Sequence, residues 1–217
     1  STQGVSSAAS DVYKRQLVPT EWEGTKKQLR DTLRSKENGE ILWQKLQGKV
    51  YGPNMSQAEL FPGVAQFLVR CKYRGDEVFI VSHKTEYGHF DPTETPLRKV
   101  ALEWMELSGF FNKNKFGLIR DHIFFEITRG DKVNRISSLK LDVFVDDLKE
   151  VLVEEDFPDI EKILFTDDFE EEHDVVRCNN WNVIANVVLG PFTDEDCKKI
   201  CLLYTSHSPR DVLLSRM

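Results

Sequence analysis

Four short apolar runs, each separated from the next by a stretch of helical spacing, constrain this chain more than any other feature. They are Val78-Phe79-Ile80-Val81, Ile123-Phe124-Phe125, Leu141-Asp142-Val143-Phe144-Val145 and Lys162-Ile163-Leu164-Phe165. Each has the length of a buried strand and lies between polar or turn residues. A helix through Val64, Phe67, Leu68 and Cys71 precedes the first run. Leu97, Val100, Ala101, Trp104 and Leu107 then recur at helical spacing, and residues 132–139, 148–153 and 181–189 read as further helices. Strands that alternate with helices predict right-handed crossovers and an α/β fold, a parallel sheet with helices on both faces.

Upstream of this core, residues 22–51 read as helical, with Leu29, Leu33, Ile41, Leu42, Trp43 and Leu46 at apolar positions and a break at Asn38-Gly39. A Phe61-Pro62-Gly63 turn then opens the Val64 helix, Pro62 being expected in its first turn, where a missing N–H costs nothing. The 217 residues suit one domain with a small helical unit added, divided here as 17–60 for that unit and 61–190 for the core. Both ends read as foreign to the fold. Residues 6–16, SSAASDVYKRQ, and 201–217, CLLYTSHSPRDVLLSRM, resemble translated adaptor sequence, so 1–16 and 191–217 are set aside and native sequence is expected from near Leu17.

Charge narrows the function. Thirty-six Asp and Glu stand against 29 Lys and Arg, a balance that disfavours a nucleic-acid partner and favours a cation cofactor. Cys71, Cys178, Cys197 and Cys201 form no CxxC pair, which suits reduced thiols and a cytoplasmic location. No apolar run has the length of a membrane span. The acidic run at 167–174 reads as a solvated loop.

In an open parallel sheet, working groups gather beyond the carboxyl ends of the strands. Here the first run ends in Ser82-His83-Lys84-Thr85, Lys132 lies at the start of the helix after the second, and the third ends in Asp146-Asp147. Adjacent carboxylates offer hard oxygen ligands to Mg²⁺, while a hydroxyl and an ammonium hold phosphate oxygens. Each residue also has a plainer role open to it. Ser82 caps a turn, Asp147 caps the helix at Leu148, and Lys132 is a solvated surface lysine. His83, His89 and His173 show no metal-ligand spacing.

The order VFIVSHKT, then Lys132 in RGDKVNRI, then VFVDD resembles the second, third and fourth motifs of the haloacid dehalogenase-like (HAD) hydrolases over roughly residues 17–189. The resemblance implies a Rossmann-like sheet with a helical cap. It implies Ser82, with His83 beside it, on the transferred phosphoryl group, Lys132 as the residue stabilising its charge, and Asp146 and Asp147 on Mg²⁺. The expected activity is Mg²⁺-dependent hydrolysis of a small phosphate ester through an aspartyl-phosphate. The family's nucleophile, the first Asp of an Asp-x-Asp motif ending a central first strand, has no match upstream of Ser82; Asp11 in SDVYKRQ lacks both the second Asp and the apolar strand. Two outcomes follow: a chain lacking its nucleophile motif, or an inactive member serving as a binding or regulatory protein. A nucleotide-binding doubly wound domain is disfavoured because neither GxGxxG nor GxxxxGK[ST] occurs.

Overall fold

A computed structural model describes residues 26–88, 94–168 and 174–198. The segments set aside at the two ends therefore lie largely outside the described residues, as do His89, His173, Cys201 and the middle of the acidic run. The helical unit is a pair, α1 (Lys26–Arg34) and α2 (Gly39–Tyr51), broken where the sequence predicts. Asn38 takes a left-handed φ of 56° at the break, and a Cβ on Gly39 would lie 2.2 Å from the Leu33 carbonyl oxygen, so only glycine fits this close return. Leu29, Leu33, Trp43 and Leu46 form a small core of their own, and Val50 packs against both it and the main core.

α3 (Val64–Arg74) follows, with Gly63 at its N-cap and φ 91°. Pro62 therefore stands outside the helix rather than in its first turn, because the left-handed glycine makes the bend. The remaining elements are β1 (Ile80–His83), α4 (Leu97–Ser108), β2 (Ile123–Glu126), α5 (Arg129–Leu139), β3 (Val143–Asp146), α6 (Lys149–Leu152), β4 (Glu161–Phe165), β5 (Val176–Cys178) and α7 (Trp181–Leu189). This is a mixed α/β fold in which the named strands pair in parallel, with one isolated antiparallel bridge between Tyr87 and Pro96. β1 and β3 start two residues later than the runs from Val78 and Leu141, and three strands end later than expected, β2 by gaining Glu126. β1 and β3 run on through Ser82-His83 and Asp146, because ladder bonds to β2 and β4 continue beneath polar side chains. α5 starts at Arg129, three residues early, where Thr128 caps it. β5 was not expected: Val-Arg-Cys is too short to register as an apolar run.

A parallel sheet without a match for the family's central first strand was expected, and the described strands form two sheets, β1–β2 and β3–β4–β5. Packing rather than a ladder joins them. Val81 of β1 shares a buried cluster with Phe144 of β3, Val133 and Ile136 of α5, and Leu152 and Leu164. On the other side Met55, Val64, Leu68, Trp104, Met105 and Phe110 form the main core, closed by a Trp104 indole N–H that donates to the Ala58 carbonyl at 2.8 Å. Residues 78–81 and 143–147 line a cavity of about 640 Å³ between the two sheets.

The tail expected from 191 begins with an anchored segment. Arg70, 2% exposed, donates to the Gly190 carbonyl at 2.9 Å and lies 3.7 Å from Asp196, and Arg74 donates to the Leu189 carbonyl at 3.0 Å. Among the described residues no helix is long and apolar enough to cross a membrane. Cys71 and Cys178 are buried free thiols and Cys197 an exposed one; burial pushes the Cys71 thiol up to about 12.

Candidate functional site

The carboxyl ends of β1 and β3 carry the residues singled out in the sequence, and the helix after β2 carries the third. α5 is held in position by a reciprocal cap. The Thr128 hydroxyl accepts from the Asp131 N–H at 3.0 Å and donates to the Asp131 carboxylate at 2.7 Å. Lys132 comes next in the helix, and Asp131 and Asn134 beside it are exposed while Lys132, Val133 and Ile136 face inward. The inward face brings the Lys132 ammonium onto the Asp146 carboxylate in a buried ion pair, with Lys132 fully buried and Asp146 nearly so. The solvated-lysine role is excluded by this burial.

Asp146 is held by more than the lysine. Its second carboxylate oxygen accepts the Leu148 N–H at 3.0 Å, so Asp146, not Asp147, serves the turn that opens α6. Leu148 is itself the N-cap residue, without a side-chain cap bond, which corrects the reading of Asp147 as the cap. Burial opposes ionisation of Asp146, but positive charge, that of the chain's amino terminus ahead of that of Lys132, together with hydrogen bonds from Lys132 and the Leu148 N–H, sets its carboxyl below the usual range. Asp147 is half-buried beside it.

Ser82 is completely buried and its Oγ has no hydrogen-bond partner. A buried hydroxyl left unpaired is costly, and in a native fold it needs an explanation such as an absent ligand. The turn-capping role is not what this hydroxyl does here. His83 is exposed, and its ring Nε2 meets the Ile127 carbonyl oxygen at 2.6 Å. Alternation along β1 thus turns His83 away from the face of Ser82. This corrects its placement beside a phosphoryl group.

Two residues not singled out as site residues belong with Ser82. The ladder continues one bond past β1, the Lys84 N–H donating to the Glu126 carbonyl at 2.9 Å, so Lys84 lies two residues along from Ser82 on the same face. Lys84 is 7% exposed, and its ammonium lies 4.7 Å from the centre of the Tyr51 ring. Burial pushes it down to about 8. Arg98, in the first turn of α4, donates from Nε to the Lys84 carbonyl at 3.1 Å, while its buried Nη2 has no partner. A signal was present in the sequence, a Lys two positions beyond the Ser at a strand end. Arg98 had none, since its nearness to Lys84 depends on how α4 packs.

Among the described residues no group of three or more His, Cys, Asp or Glu side chains is gathered as for a metal ion. Mg²⁺ asks for less: one or two carboxylates, with water and substrate phosphate completing its shell. Of the two carboxylates, Asp147 is half-buried, while the Asp146 oxygens face the Lys132 ammonium and the Leu148 N–H. No known protein-family model, curated protein or solved structure matches the chain.

Proposed function

We propose that this chain is built on the Rossmann-like plan of the HAD-like hydrolases, as a Mg²⁺-dependent phosphatase core for a small phosphate ester. The observation that carries this reading is the sealed Lys132–Asp146 pair, on a helix and a strand end, with the unpaired Ser82 hydroxyl at the end of the neighbouring sheet. In this reading Ser82 donates to a non-bridging phosphoryl oxygen, and the Lys132 ammonium offsets the charge that builds as the ester bond breaks. Asp146 and Asp147 would hold Mg²⁺, which would neutralise phosphate charge. Burial on the two sides keeps water from competing for these donors. Contact between Tyr51 of α2 and Lys84, just past β1, supports a cap role for the α1–α2 pair.

The cavity between the sheets supports the same plan. A void of about 640 Å³ lined by Val81, Val143 and Val145 is far larger than a packed interior leaves empty. The family's central first strand would lie between the strands of Ser82 and Asp146, and it would bring the attacking carboxylate. Upstream of Ser82, the described residues contain no Asp-x-Asp. That same observation favours the second reading, a binding or regulatory protein that keeps the fold without the chemistry.

The two readings separate in one assay. A chain fused to an apolar strand ending in Asp-x-Asp is expected to hydrolyse an aryl phosphate with Mg²⁺, while the chain alone is inert. In the fused chain Lys132→Ala should lower kcat by at least about a hundredfold. Turnover by the chain alone, or full activity in the fused Lys132→Ala variant, would contradict the phosphatase reading; an inert fused chain supports the binding protein.

A further inference from the structure

Lys84 and Arg98 bring two cationic groups together beside the Ser82 face, and neither is neutralised. Lys84 is more than nine-tenths buried as a residue, and its ammonium lies over the face of Tyr51, with no ion pair to it among the described residues. The Arg98 guanidinium is fixed by its bond to the Lys84 carbonyl and keeps a buried Nη2 unpaired. With the Ser82 Oγ, the Arg98 Nη2 makes two buried polar atoms without a hydrogen-bond partner, on residues to either side of Lys84 in the chain. Buried cations are ordinarily paired, and an unpaired guanidinium N–H costs more than a neutral one. Such a cluster is costly in the free protein and is compensated when an anion enters.

We propose that Lys84 and Arg98 form a recognition site for a second anionic group on the ligand whose phosphoryl group meets Ser82. This rests on the phosphate reading of Ser82 but assigns the substrate class within it. Residues two apart on one strand face are about 7 Å apart, so the ligand carries two anionic groups at that separation. Arg supplies a planar fork suited to carboxylate or phosphate, and Lys a point charge, so the shared chemistry is a compact oxyanion. Tyr51 brings α2 into the site, so the helical unit closes over the second group rather than over the phosphoryl end.

Calorimetry on the full chain with matched probes tests this. 3-Phosphoglycerate and glycerol 3-phosphate differ by one carboxylate, and glycerol 1,3-bisphosphate replaces that carboxylate with a phosphate. One of the two doubly anionic probes, or both, should bind roughly tenfold more tightly than glycerol 3-phosphate, and which one identifies the second group. Lys84→Met and Arg98→Met should each erase most of the difference, weakening the doubly anionic probe several-fold more than glycerol 3-phosphate. The Lys84→Met variant should melt no lower than the parent, which separates lost recognition from lost folding. Three probes bound alike would overturn the Lys84–Arg98 site and leave the phosphate reading standing. Glycerate bound through Lys84, with glycerol 3-phosphate silent, would keep this site and overturn phosphate at Ser82. No binding by any probe would overturn both.

Discussion

The ammonium of Lys132 and the carboxylate of Asp146 meet in the interior with almost no solvent contact, fourteen residues apart in sequence. The contact ties α5 to β3 and places one charge of each sign at the carboxyl edge of the fold. Pairing makes the burial tolerable, and the Leu148 N–H satisfies the other carboxylate oxygen. Removing either partner leaves the other charge buried alone. Lys132→Met and Asp146→Asn should each cost about 3 to 5 kcal/mol in urea unfolding, whereas Lys132→Met/Asp146→Leu should recover most of that loss. Additive losses would show that the pair is not coupled.

The Asp146 carboxylate also contributes to the acid limit. Asp146 has its carboxyl held below its unfolded value, so the unfolded chain binds more protons as pH falls. Its contribution is present above about pH 4, the unfolded aspartate value, and is lost as pH falls through the lower folded value. The Asp146→Asn variant should therefore show a flatter loss of stability below pH 4 than the parent, measured by urea midpoint.

Lys84 behaves in the opposite sense. Its ammonium is pushed down to about 8 by burial, so between that value and about 10.4 the unfolded state holds the proton more tightly. The penalty is full below pH 8 and falls away as pH rises. Lys84→Met should raise the Tm at pH 7, and the difference between variant and parent should shrink by pH 10. A lower Tm in Lys84→Met would mean that the lysine stabilises the fold.

Much of the fold was legible because apolar period and turn residues act locally. The helix at 181–189 and the break at Asn38-Gly39 follow directly from spacing and glycine. β5 and the pairing of particular strands were not legible. A three-residue strand with Arg177 at its centre carries no periodic signal, and strand adjacency is a long-range property that no local pattern encodes. At the site, Ser82, Lys132 and Asp146 could be read because each stands at an element end. His83 misled because adjacency in sequence suggests a shared site, whereas a strand sends neighbours to opposite faces.

The metal assignment has its own test. Mg²⁺ should bind weakly to the chain, and more tightly with inorganic phosphate present, because few protein ligands leave much of its shell to water and phosphate. Asp147→Asn should weaken that binding roughly tenfold. Equal heats from parent and variant would remove Asp147 from the site.

The most direct measurement follows the backbone amides of the labelled chain while inorganic phosphate is added in the presence of Mg²⁺. Shifts should concentrate at Ser82 and its strand neighbours, at Lys132 and at Asp146-Asp147, and Ser82→Ala, which removes the unpaired hydroxyl, should abolish saturable behaviour there. Saturation centred elsewhere, or unchanged in Ser82→Ala, would contradict a phosphoryl site at the ends of β1 and β3.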